Sequence, residues 1–218
     1  MHRLVTIVGL GMLASVLLEP SPVRATTLAV DLLSGGSPAP FAQPPRAAGW
    51  QFSLSGNQTA TALGFWDEGG DGLAASHQVG LWTDAGVLLG SAIVDNTGTA
   101  VASAHTGGHW VFATLGTTIA LGPGTYRIAG VMSVDFQRHQ IANALPPLIE
   151  SFAPGVTWLN AAFGPGFGGF VFPGSLSSQD GFYGPNLMLT APEPSTLALL
   201  GLGLAGFGFV RAGKRGGP

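Results

Sequence analysis

Between residues 51 and 190 the apolar residues fall in runs of about four to ten, each closed by glycine, proline, asparagine or aspartate. No window in this stretch keeps the 3.6-residue apolar period of an amphipathic helix, and Ile141–Phe152 is interrupted by Pro146-Pro147. Runs that short, separated by turn formers at roughly 8–12-residue spacing, restrict the fold to antiparallel β structure. Strands are predicted at Gln51–Leu54, Thr59–Trp66, His77–Trp82, Val87–Val94, His109–Thr114 and Thr117–Leu121. They continue at Thr125–Val134, Val156–Leu159, Gly169–Phe172 and Asn186–Thr190, while Ser34–Pro45 reads as a loop. Thr83-Asp84-Ala85-Gly86 closes the clearest hairpin, and Gly122-Pro123-Gly124 is a tight turn. The expected architecture is a single antiparallel β-sandwich of jelly-roll type over residues 26–191.

Charge and cysteine usage narrow the function. From Thr26 to Ala191 there are three arginines (Arg46, Arg127, Arg138), no lysine and nine carboxylates, for a net charge of −6. Such a surface repels phosphate backbones and excludes nucleic acid as a partner. The chain has no cysteine, so the fold cannot rest on disulfides and no thiol nucleophile exists. A Gly-x-Ser-x-Gly elbow is also lacking, and no pair of acids is marked as a glycosidase pair. The body therefore reads as non-enzymatic, with no catalytic residue assigned.

Three constellations remain as binding candidates. Asp67-Glu68-Gly69-Gly70-Asp71-Gly72 is the densest carboxylate cluster. Laid on an EF-hand loop, Asp67, Asp71 and Gly72 fill positions one, five and six, but Gly69 and Gln78 occupy positions three and twelve, where ligands are needed. Calcium at Asp67 and Asp71 would need backbone carbonyls or a distant acid to complete its shell. His105 and His109 would need a third ligand such as His139 to hold zinc. Of the five tryptophans, Trp66 and Trp82 flank the acidic loop and the hairpin and are the candidates for stacking on a sugar ring.

The two ends carry addresses. Residues 1–25 have the form of a secretory signal peptide: His2 and Arg3, an apolar run from Leu4 to Leu18, then Val23-Arg24-Ala25 as the cleavage site. At the other end, Pro192-Glu193-Pro194-Ser195-Thr196 precedes the uncharged run Leu197–Val210, followed by Arg211, Lys214 and Arg215. A run of about 16 residues makes a helix of about 24 Å, short for a bilayer core of ~30 Å, but the basic stop can snorkel to the cytoplasmic face. A transmembrane helix with the basic residues as its stop is the expected state.

The order Pro-Glu-Pro, short Leu/Gly/Ala/Phe span and Arg/Lys cluster over residues 192–215 resembles the PEP-CTERM sorting signal of secreted proteins in exopolysaccharide-producing Gram-negative bacteria. The resemblance implies that exosortase, an integral-membrane protease or transpeptidase, cuts near Pro192, Glu193 and Pro194 after the tail has lodged in the inner membrane. Leu63–Trp82 running into Asp84–Ala92, with Tyr183-Gly184-Pro185-Asn186-Leu187, is similar to blocks in secreted β-sandwich domains of PEP-CTERM proteins. That likeness implies fold and address, with no chemistry attached. The expectation is an exported envelope or matrix protein associated with exopolysaccharide in biofilm, with glycan binding as its activity; a secreted polysaccharide hydrolase with an unmarked carboxylate site is the alternative. Intact-mass analysis of the exported protein is expected to show a chain beginning at Thr26; a chain beginning earlier would count against cleavage after Ala25.

Overall fold

The computed structural model describes residues 25–40, 46–140, 147–165, 169–178 and 181–191. The signal segment up to Arg24 and the tail from Pro192 onward, with the helices expected there, lie outside the described residues. Within those residues no helix is long and apolar enough to cross a membrane.

In chain order the strands are β1 (Thr26–Leu28), β2 (Val30–Ser34), β3 (Ser37–Pro40), β4 (Arg46–Leu54), β5 (Gln58–Glu68) and β6 (His77–Thr83). Next come β7 (Leu88–Val94), β8 (Thr99–Ala102), β9 (Gly108–Leu121), β10 (Gly124–Met132) and β11 (Phe136–Gln140). The last are β12 (Ile149–Phe152), β13 (Val156–Phe163), β14 (Ser175–Ser177), β15 (Gly181–Tyr183) and β16 (Pro185–Thr190). A five-stranded sheet runs β1-β16-β5-β9-β8 and a six-stranded sheet runs β14-β13-β4-β10-β6-β7. Smaller sheets, β15-β11-β3 and β12-β2, complete the set, and every pairing is antiparallel. The chain is mainly β, an antiparallel sandwich, as the spacing of turns and apolar runs predicts.

The two large sheets are joined by side chains that cross between them. Trp50 of β4 is fully buried, and its indole N–H donates to the carbonyl of Pro185 on β16 at 2.9 Å. Phe65 of β5 lies flat on the imidazole of His77 of β6, with ring centroids 3.7 Å apart and planes 6° from parallel. Room for the Phe65 ring comes from Gly130 of β10, where a Cβ would sit 3.0 Å from its Cε2. The core around them is drawn from both sheets and includes Phe52, Leu63, Leu81, Trp110, Ile128 and Leu187.

Several boundaries differ from the sequence reading for identifiable reasons. His109–Thr114 and Thr117–Leu121 form one strand, β9, because the irregularity between them is absorbed as a register shift opposite Ala60 and Ala62 of β5. The Gly122–Gly124 turn carries the chain from one large sheet to the other, since β9 pairs with β5 and β10 pairs with β4 and β6. Ser34–Pro45 contains β3, held by pairing with β11. Gly169–Phe172 is no strand: Phe170, Val171 and Phe172 instead cover Ala47, Trp82 and Ala129 on the outer face of the six-stranded sheet. The hairpin at Thr83–Gly86 is present as predicted, with Gly86 at φ 90° and its N–H donating to Thr83 at 3.0 Å.

The first and last described strands are neighbours, with Thr26 opposite Thr190. Asn186 fastens this corner from inside. It is fully buried, its amide donates to the Val30 carbonyl at 2.7 Å, and its Oδ1 accepts the N–H groups of Val30 and Leu187. Truncation to alanine strands buried backbone groups that each cost about 1–3 kcal/mol when unpaired. Asn186→Ala is expected to lower unfolding stability by about 2–3 kcal/mol, read from the urea midpoint at unchanged slope.

Candidate functional site

The acidic loop after β5 and the turn between β7 and β8 meet at one end of the sandwich. β5 finishes at Glu68, and the chain then makes a sharp excursion in which Gly69, Gly70 and Gly72 take φ of 90°, 70° and 104°. Only glycine adopts these values without strain, which explains its density here. Four side chains or backbone groups pin the excursion. Gly107 accepts from the Gly69 N–H at 2.7 Å, and Asp67 Oδ2 accepts from Gly72 at 3.0 Å. Asn96 grips Leu73 at both ends, accepting its N–H at 2.7 Å and donating to its carbonyl at 2.8 Å. Asp135 accepts from Ala74 at 2.7 Å and from Ala75 at 2.9 Å.

Asp135 is itself held by His77, whose Nε2 lies 2.8 Å from Oδ2 while Nδ1 lies 2.8 Å from the Val131 carbonyl oxygen. The chain of contacts therefore runs from the core ring of Phe65 through His77 and Asp135 to the loop backbone. Ser76 takes no part in it.

The pinned loop forms one wall of an open cleft of about 350 Å³, lined by Asp67, Gly70, Asp71, Gly72, Asn96, Gly98, Ala100, His109 and Val111. Asp67 of β5 and His109 of β9 are directly opposite in register, with Oδ2 and Nε2 3.3 Å apart. Asp67 is buried at 2% exposure, whereas the His109 side chain is 28% exposed and reaches the cleft. Burial pushes the Asp67 carboxyl above its ordinary range; the Gly72 N–H and the charge of His109 pull the other way without cancelling it. A buried carboxyl behind a partly exposed imidazole can orient that ring toward a polar ligand in the cleft.

The sequence candidates separate as follows. Asp67 and Asp71 line the same cleft, so the structure does bring them together. Among the described residues, however, no group of three His, Cys, Asp or Glu is placed to hold a metal ion. Calcium takes six to eight oxygens, and two carboxylates fall short of that set. Glu68 points away from both: Arg138 grips its carboxylate with two guanidinium nitrogens, and the Trp66 indole donates to Oε2 at 2.7 Å. His105 is committed to backbone, accepting from Gly107 at 2.9 Å and facing the Gly35 carbonyl oxygen at 3.2 Å, so it does not join His109.

The two tryptophans chosen for sugar stacking are corrected by their burial. Trp66 has no exposed surface and meets Trp110 edge-on at 5.1 Å and His105 edge-on at 5.8 Å. Trp82 is 4% exposed and covered by Phe170 and Phe172. Neither offers a face to a sugar ring. What the sequence missed is the Asp67–His109 pair, since register between strands 42 positions apart in the chain has no local signature.

Residues 190–212 match the family model of the PEP-CTERM protein-sorting motif. The chain carries a PEP-CTERM sorting signal. The matched stretch is about a tenth of the chain and includes Pro192, Glu193, Pro194 and Arg211, with Lys214 and Arg215 just beyond it. All six lie outside the described residues. The PEP-CTERM motif implies processing by exosortase and supports export, with a membrane-anchored C-terminus before the cut. No curated protein matches the chain.

The raised Asp67 carboxyl gives a pH signature. Below the ordinary value of 3.8 the group is protonated whether the chain is folded or not; above it the unfolded chain ionises first, so folding loses ground as pH rises. Asp67→Asn removes that loss. Its stability relative to the parent should therefore increase as pH is raised past 3.8 and level off once folded Asp67 has ionised, measured by denaturant unfolding at a series of pH values. A difference independent of pH would refute the assignment.

Proposed function

We propose that the protein is an exported, non-enzymatic component of the cell envelope or extracellular matrix, delivered by exosortase and associated with exopolysaccharide. The observation that carries this reading is the PEP-CTERM motif at residues 190–212. Support for a non-enzymatic role comes from how the described carboxylates are used. Asp31 accepts from Ser103, Asp95 from Thr97, Asp135 from the loop backbone and Glu150 from Tyr183, each a structural hydrogen bond. Asp84 holds Arg127 at 2.7 Å; burial pushes its carboxyl up, but the bonds from Arg127 and Gln51 outweigh this and keep it below the ordinary range.

The polar cleft at Asp67, Asp71 and His109 is the place on this body for a hydroxyl-rich ligand. Its hydrogen-bonding groups suit a sugar edge, in place of the aromatic stacking expected from the tryptophans. One observation favours the hydrolase alternative, namely that Asp67 and His109 sit side by side in that same cleft. Polysaccharide depolymerisation by the parent and its loss in Asp67→Asn would establish that alternative.

The decisive experiment for delivery is the mature C-terminus. In a host with exosortase, intact-mass analysis should find the chain ending near Pro192–Pro194, and replacing those three residues by alanine should leave it uncut. Retention of the whole tail in the exosortase-bearing host would overturn the sorting reading.

A further inference from the structure

The edges of the two large sheets are not equally protected. Three of them are strands of three or four residues: β1 and β8 on the five-stranded sheet and β14 on the six-stranded one. Very short edge strands are one of the ways in which folds avoid adding a foreign strand. Among the described residues the fourth edge is β7, Leu88-Leu89-Gly90-Ser91-Ala92-Ile93-Val94, which is seven residues long. It has none of the charges or prolines that usually blunt an edge. Its bulge opposite Leu81 and Trp82 is confined to the first turn of the strand, leaving Gly90–Val94 regular. Exposed large apolar side chains gather here: Val87 at 60%, Leu88 at 46% and Ile93 at 54%.

The order of side chains says what this edge fits. Gly90, Ala92 and Val94 lie opposite Leu81, Val79 and His77, which are buried, so they face the core; Ser91 and Ile93 face outward. About Ser91 the strand reads alike in both directions: small residues on either side, then large apolar ones. An antiparallel partner of the same sequence, related by a two-fold axis at Ser91, places Ser91 on Ser91, Gly90 on Ala92, and Ile93 on the Leu88–Leu89 bulge. Leu89 packs on the core and Val94 is buried, so Leu88 and Ile93 are the apolar side chains that each copy brings to the outer side of the seam. Asp84 and Asp95 fall outside the paired stretch, so a chain whose body carries a charge of −6 meets its copy along a strip with no charge to repel it.

We infer that β7 is a self-association edge, through which two copies of this chain join their six-stranded sheets into one antiparallel sheet with a two-fold axis at Ser91. A second copy is the occupant because the pairing is isologous and self-complementary. A seven-residue strip buries less than a standard interface, so the association belongs to the weak class and grows with local concentration.

The test uses the full chain in host membranes. Because the protein has no cysteine, a disulfide that joins two copies of a Ser91→Cys chain can only be between the introduced thiols, and it is read as a band of twice the chain mass. In an antiparallel pair, directly opposite Cβ atoms are about 4.5–5.5 Å apart, close to disulfide range. Mild oxidation should give a cross-linked dimer with Ser91→Cys and far less with Ala85→Cys, which stands exposed on the hairpin turn. Adding Ile93→Lys to Ser91→Cys should abolish the dimer while leaving the melting temperature unchanged, since Ile93 is largely exposed. Equal cross-linking at positions 85 and 91, or cross-linking that survives Ile93→Lys, would overturn the inference. A detergent-solubilised parent chain whose sedimenting mass does not fall on Ile93→Lys would do the same.

Discussion

The flat contact between Phe65 and His77 is the constraint on which the rest of the described body depends. It is the point where an apolar core residue of one sheet meets a polar, hydrogen-bonding residue of the other. Phe65 bridges from one large sheet to the other, and Gly130 leaves the space that its ring requires. His77 in turn is oriented by Val131 and hands the geometry to Asp135, which sets the path of the Ala74-Ala75 backbone. The cleft wall is thus a continuation of core packing, although the loop that forms it is rich in glycine and would otherwise be free. With no disulfide to fall back on, such side-chain crossings are what hold the layers in register.

A second crossing works on the outer face. Arg127 of β10 donates to the carbonyl groups of Pro173 and Gly174, at 2.8 and 3.1 Å, and its guanidinium lies 4.9 Å from the centre of the Phe172 ring. Asp84 in the hairpin turn accepts from Nε of the same guanidinium at 2.7 Å. An arginine is suited to this because its planar group donates at its edge and stacks on its face at once. The apolar segment 170–172 is thereby kept against Trp82, which explains why a tryptophan on the outward side of a sheet has almost no contact with water.

Much of the fold was legible in the chain because turn chemistry is local. Thr83-Asp84-Ala85-Gly86 announces its hairpin, and the short apolar runs Thr59–Trp66 and His77–Trp82, bounded by turn formers, announce strands that lie within β5 and β6. The short pieces β3, β8, β11 and β14 were not legible, since three to five residues held only by a distant partner leave no pattern of their own. The same limit governs the site. Asp67 and Asp71 stood out as a cluster, but the partner that matters to Asp67 is His109, and only pairing of β5 with β9 brings it there. Trp66 and Trp82 misled for the opposite reason: an aromatic on a strand carries no mark of whether a neighbouring segment will cover it.

The corner where Thr26 faces Thr190 has a geometric consequence. β16 leaves the sandwich beside Thr59, at the start of β5, while Asp67 stands near the other end of that strand. Eight residues of extended chain separate the two points, about 26 Å at 3.3 Å per residue. The polypeptide after residue 191 is therefore attached at the end of the sandwich remote from the Asp67–His109 opening.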